Sequence, residues 1–168
     1  MGWAQFLKLH GEVLAVTDFF TVEVAMWLGL VTYCVLFVME LATRRVEMAG
    51  ITPHPTAAFM QQCARQLTDS FDGLLLGKRY LLHDRDTKYT HAFDGLLKDR
   101  GVEPVLLPPR SPNLNARCER FVCSIKEEAL DQMVLLGERS LHHVIQTASK
   151  SCLHQWRNHL ICSIATKP

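Results

Sequence analysis

Residues 24–39, VAMWLGLVTYCVLFVM, run for sixteen positions without a charge, between Glu23 and Glu40. A stretch of that length has to be buried, either as a helix in a bilayer or as strand inside a core. A bilayer span needs about 20 apolar residues. This run is shorter, is rich in Val, Thr, Tyr and Phe, and is broken by Gly29, which points to buried strand. The remainder of the 168 residues supports that choice, because 48% apolar and 21% charged is a globular balance with enough chain for one domain.

The elements around the run follow from pattern. Val13 to Val22 (VLAVTDFFTV) reads as a strand with Asp18 in its middle, about Leu30 to Leu41 as a second, and Arg44 to Ile51 as a third. Short connections make these antiparallel neighbours. Thr56 is placed to cap a helix with Phe59, Met60, Cys63, Ala64 and Leu67 on one side. Gly73 and Gly77 flank a loop, and RYLLH is a short strand ending at Asp84. Thr90 caps a helix bearing Phe93, Leu96 and Leu97, which stops at Gly101. Val102 to Pro108 is a further short strand. After a proline-bounded loop, PPRSPNLN, a helix from about Ala116 to Gln132 carries Cys118, Phe121, Val122, Ile125 and Ala129 at intervals of three and four. The chain from Ser140 onward reads as helical with poor periodicity. Three strands, helix, strand, helix, strand, helix is an α/β order with a mixed sheet.

None of the six cysteines pairs as C-x-x-C, and Glu12 and Asp18 interrupt any secretory leader, so reduced thiols in a cytosolic protein are expected. A zinc site from these cysteines and His142-His143 fits no usual spacing. The formal net charge of +1 is divided unevenly, −3 over residues 1–75 and +4 over 76–168. A mildly basic second half permits a polyanionic partner.

Chemistry concentrates in carboxylates. Two-metal phosphoryl transfer needs carboxylates converging on divalent ions about 3.5–4 Å apart, and oxygen ligands suit Mg²⁺ or Mn²⁺. Asp18 falls in an early strand, Asp84 at the end of a later one, and Glu119 in the first turns of a helix, beside its apolar stripe. Each alone is commonplace. In LLHDRDTKYT, residues 81–90, a second carboxylate follows at Asp86 with Arg85 and Lys88 beside it.

VTDFFT, LLHDRDTKYT and PPRSPNLNARCERFVCSIKEE together resemble the catalytic core of DDE transposases and retroviral-type integrases, in particular bacterial insertion-sequence transposases. The family places one Asp in the first strand. A second lies in a motif of the type H-x-D-x-G-x-x-F/Y, and a Glu follows P-x-S-P-x-x-N-x-x-x-E. By that resemblance Asp18, Asp84 and Glu119 are the catalytic metal ligands, with 35 positions between the last two. Counting back from Tyr89 selects Asp84. Asp86 stands where the motif has Gly, and the simplest reading has Arg85 and Lys88 neutralising it. The resemblance spans residues 6–147, leaving 148–168 as a divergent tail. There, only His154 and Arg157-Asn158-His159 match the family's Y-H-x-E-R-N-H-Q-G-L, and Trp156 stands where Glu would be.

The resemblance implies an RNase H-like fold with a mixed five-stranded sheet flanked by helices. It also implies two Mg²⁺ or Mn²⁺ ions, and cleavage and strand transfer on DNA phosphodiesters. Lys126, two helical turns after Glu119, is a candidate phosphate contact, as are Arg110, Arg117 and Arg120. Asn115 is grouped with them, although its simplest role is to cap the helix. His83 reads as a packed strand-end histidine, and the Pro108–Pro112 loop as a flap. Expected partners are transposon ends and target DNA, and further copies of the chain, with no membrane. End recognition would fall to a separate helix-turn-helix protein or upstream frame, and the setting would be cytoplasmic, at the nucleoid. The rival expectation is a truncated, non-catalytic remnant that only binds DNA or oligomerises.

Overall fold

The computed structural model describes residues 2–108 and 112–148, with backbone alone at 3, 4 and 112–116. The order is α1 (Trp3–His10), β1 (Leu14–Met26), β2 (Gly29–Glu40), β3 (Val46–Thr52), α2 (Ala57–Leu67), β4 (Tyr80–His83), α3 (His91–Asp99), β5 (Glu103–Leu106), α4 (Pro112–Ile125) and α5 (137–148). A single 3₁₀ turn precedes β1, and a π turn, Lys126–Leu130, continues α4. The five strands form one sheet in the order β3-β2-β1-β4-β5. β2 and β3 are antiparallel, whereas β4 runs parallel to both β1 and β5.

The uncharged run is strand, as expected, and holds the end of one strand, a tight turn and the next strand, the first reaching four residues beyond the expected Val22. β1 continues to Met26, and Trp27-Leu28 turn the chain into β2, with Gly29 at φ 130. Such a φ is open to glycine and strained for other residues. Glu40, which closes the run, is itself buried. Lys78 Nζ lies 3.5 Å from its Oε2, and the Thr43 hydroxyl donates to the same oxygen. A buried carboxylate needs such partners.

The chain divides into two compact units, the first comprising residues 1–21 and 33–112, the second residues 22–32 with the chain from 113. In the first, α2 and α3 cover one sheet face. Ala15, Leu36, Val38, Ala49 and Leu81 from the strands meet Met60, Cys63, Ala64 and Leu67 of α2 and Phe93 and Leu97 of α3. Both caps form as read. The Thr56 hydroxyl accepts from Phe59 N–H and that of Thr90 from Phe93 N–H. Helix α1 is not evident in the sequence, since eight residues carry little periodic signal. It is held from outside by Phe6 and His10, which stack on each other at 4.7 Å and meet the Tyr80 ring edge-on.

In the second unit, Cys118, Phe121, Ile125, Ala129 and Leu130 are buried, and Val122 is half-buried. The stripe holds, but α4 starts at Pro112, four residues before the expected Ala116. Proline's fixed φ suits a first helical turn. Asn115 therefore lies inside the helix and cannot be its cap, and Glu119 lies in mid-helix, beyond the first turn. The hairpin tip belongs to this unit, where Ala25 N–H donates to Leu135 O at 2.9 Å.

Candidate active site

The β1–β4 ladder sets the position of the two aspartates. Leu14 pairs with Tyr80, Ala15 with Leu81 and Val16 with Leu82, a constant offset of 66 positions. Asp18 and Asp84 share that offset, two positions beyond the last pair of the ladder, with Asp18 still inside β1 and Asp84 just after the end of β4. Neighbouring strands lie about 4.8 Å apart, and side chains two positions apart leave by the same face. The two aspartates thus follow the paired part of two adjacent parallel strands, and the charges of both reach the Tyr89 ring.

Asp18 is half-buried, and its Oδ1 accepts from Phe19 N–H at 2.8 Å. The preceding Thr17 points inward and ties β1 to β2 by donating to Phe37 O at 2.8 Å. Asp84 is exposed and directly follows β4. Its Oδ1 accepts from Asp86 N–H at 3.0 Å, a turn that short acidic side chains favour.

Asp86 faces a different partner. Its Oδ2 receives Lys88 Nζ at 2.6 Å and its Oδ1 receives Lys88 N–H at 2.9 Å. Burial works to raise its carboxyl, but the hydrogen bonds and charge of Lys88 prevail and hold it below the usual carboxylate range. The Asp86 hydrogen bond correspondingly raises the Lys88 ammonium, with a smaller contribution from Asp84. Lys88 Nζ also stands 5.1 Å from the centre of the Phe19 ring. The neutralising partner expected for Asp86 is therefore Lys88; Arg85 is exposed and makes no ion pair with it.

Behind these residues is a buried polar group. His83 is 3% exposed, with Nδ1 2.8 Å from the carbonyl oxygen of Asp84 and Nε2 3.5 Å from Asp94 Oδ1. Its ring lies 4.4 Å from that of Tyr89 and meets Phe93 edge-on. Burial pushes the Tyr89 phenol well above its usual value, opposed in part by Thr17, and the charges of Asp18 and Asp84 push the same way. Both aspartates are thus felt at one ring. The expectation of a packed His83 holds, but the pairing with Asp94 was missed. The signal lay in the Thr90 cap, which puts Asp94 in the first turn of α3.

The other expected site residues lie in the second unit or outside the described chain. Glu119, Arg117 and Arg120 are exposed on α4, and Lys126 is half-buried at the start of the π turn. The Asn115 side chain, Arg110 and the tail from 149 lie outside the described residues, as does most of the expected flap. Among the described residues no three His, Cys, Asp or Glu side chains form a ready-made metal cluster, and His142 is paired with Glu138 at 3.5 Å. What the chain does supply is two hard oxygen donors, one within β1 and one directly after β4, of the type Mg²⁺ and Mn²⁺ take.

No protein-family model and no curated protein matches the sequence. Solved structures do match. The catalytic core domain of BIV integrase is similar with a TM-score of 0.51 and 20% identity, over 69% of this chain and 68% of that one. The HTLV-2 integrase catalytic core domain, solved with magnesium in a dimeric form, is similar with a TM-score of 0.56 and 13% identity, over 82% of this chain and 83% of that one. The chain has the mixed five-stranded sheet and flanking helices of these cores, which is the RNase H-like fold. Among the described residues no helix is long and apolar enough to cross a membrane.

Proposed function

We propose that this chain is the catalytic core of a DDE-type transposase or integrase of the bacterial insertion-sequence kind, cleaving DNA and transferring the cut strand. The observation that carries the reading is the offset that Asp18, within β1, and Asp84, just after β4, share with the ladder of these parallel strands, in a mixed five-stranded sheet like that of the integrase cores. In this reading Asp18, Asp84 and Glu119 hold Mg²⁺ or Mn²⁺, two ions that supply an activated oxygen nucleophile and stabilise the leaving 3′ oxygen. The chain's own part is to hold the ligands rigidly. The backbone N–H groups of Phe19 and Asp86 fix one oxygen of each aspartate, and Lys88 keeps Asp86 occupied and out of the ligand set. Arg110, Asn115, Arg117, Arg120 and Lys126 would meet the DNA backbone. The magnesium in the HTLV-2 core and its dimeric form support the same ion and a homo-oligomer here. Transposon-end and target DNA are the partners, with a separate helix-turn-helix protein or upstream frame choosing the ends.

Mn²⁺-dependent nicking of supercoiled DNA tests the reading. Asp84→Asn should abolish nicking, while Asp86→Asn should leave most of it. The opposite pattern would make Asp86 the ligand. Nicking unaffected by either change and by Asp18→Asn would show that these aspartates are not the ligands, and no nicking by the wild-type chain would leave a non-catalytic remnant.

A further inference from the structure

We propose that Lys88 donates a hydrogen bond to a phosphate of the DNA bound beside Asp84. The proposal rests on DNA being the substrate and adds a contact from the loop between β4 and α3, apart from those on α4. A lysine on a protein surface ordinarily keeps its side chain free in water, because fixing it costs conformational entropy. Lys88 is held at both ends. Its backbone N–H donates to Asp86 Oδ1 at 2.9 Å and its Nζ to Asp86 Oδ2 at 2.6 Å, so a single carboxylate takes both. The backbone N–H of Asp86 sits in turn on Asp84 Oδ1 at 3.0 Å, and Tyr89 N–H closes the turn on Asp86 O at 3.1 Å. The ammonium therefore has a set place relative to Asp84, whose charge reaches it. From the other side it stands 5.1 Å from the centre of the Phe19 ring, and Phe19 follows Asp18 on β1.

An ammonium carries three donors and no acceptor. Among the described residues Asp86 Oδ2 is the one hydrogen-bond acceptor of Nζ, and the side chain is 30% exposed. Donors are thus left open to solvent on a group that is already fixed. A pair this exposed adds little to stability by itself. A DNA phosphate supplies the missing acceptor, since hydrogen bonds from lysine to phosphate are charge-assisted. Such a contact places the strand without reading its sequence.

The test uses the full chain and a fluorescently labelled duplex of random sequence, without divalent metal, with anisotropy read across a range of salt. The informative variant changes both partners, Asp86→Asn with Lys88→Met. The pair sums to zero charge in the wild type and in the double variant, so the long-range field on the DNA is alike. Asn keeps an acceptor for the backbone of residue 88, and Met keeps the stem beside Phe19 without a donor. Both side chains are about 30% exposed, so the variant should fold. It should bind DNA about tenfold more weakly, the lower end for a hydrogen bond to a charged group. Its slope of log K against log salt should fall by about one, for all sequences alike. Wild-type affinity and slope in the double variant would overturn the proposal and leave an ordinary surface ion pair. Nicking that survives Asp84→Asn, beside a lowered slope in the double variant, would sink the metal-site reading and keep the contact. Nicking lost in Asp84→Asn with an unchanged slope would do the reverse. A wild-type chain that binds no DNA even at low salt would sink both.

Discussion

Cys63 faces the core from α2, and burial pushes its thiol from 9.0 up to about 12. The thiolate is the reactive form, so at pH 8 only about one thiol in ten thousand would be ionised there. Cys123, exposed on α4, has no such protection. Iodoacetamide on the native protein should therefore label Cys123 quickly and Cys63 only on unfolding, as peptide mass mapping would show. The same shift has a sign for stability. The folded value lies above the unfolded one, so the thiol's contribution is complete below pH 9 and is lost as pH rises towards about 12. Urea midpoints should fall across that window. Spacing to Tyr89 distinguishes Asp84 from Asp86 in the sequence, and the two have different partners in the structure, the Asp86 N–H for Asp84 and Lys88 for Asp86. The role of Lys88 was legible only in part, since proximity in sequence did not distinguish it from Arg85. The ring of Phe19, which also receives the Lys88 ammonium, comes from β1, and no local pattern joins residues so far apart.

At the scale of elements, β3 and α2 approach so closely that a Cβ on Gly50 would stand 2.6 Å from the Phe59 ring and 2.7 Å from Cys63 Sγ. Gly50→Ala should destabilise the protein by about 1–3 kcal/mol through overpacking, measurable as a lowered urea midpoint. On α4, Arg117 is exposed and Lys126 half-buried at the start of the π turn. If both meet phosphates, each Ala variant should lower the slope of log K against log salt by about one, for all sequences alike. An unchanged slope in both would make them ordinary solvated side chains. The sequence revealed α2 and α3 to within a residue or two, because a threonine cap and a stripe of apolar residues mark each of them. It concealed the start of α4, where the prolines of PPRSPNLN read as loop. It also concealed how far β1 runs, to Met26 and not Val22, since the turn residues Trp27 and Leu28 are as apolar as the strands they join.

For the molecule as a whole, that turn has a physical cost. Trp27 and Leu28 are 99% and 98% exposed, and Leu30, Val134 and Leu136 are exposed in the same unit. Exposed apolar surface favours association, and a net charge near zero does little to oppose it. The isoelectric point is about 7.7, so the net positive charge grows as pH falls towards 6. Light scattering at low salt should therefore show more association near pH 7.7 than at pH 6, and Trp27→Ser with Leu28→Ser should reduce it at both. Unchanged scattering in the double variant would place the sticky surface elsewhere.

The offset of 66 between β1 and β4 also limits how related chains can differ in length. A residue inserted between Leu14 and Asp18 would turn every later side chain of β1 to the opposite face and break the offset that Asp18 shares with Asp84. An insertion at Leu76-Gly77, both exposed in a turn outside the ladder, would change the count but leave the pairing intact. Natural gains and losses of length should gather at that turn and avoid the four residues before Asp18, whatever becomes of the side chains between them.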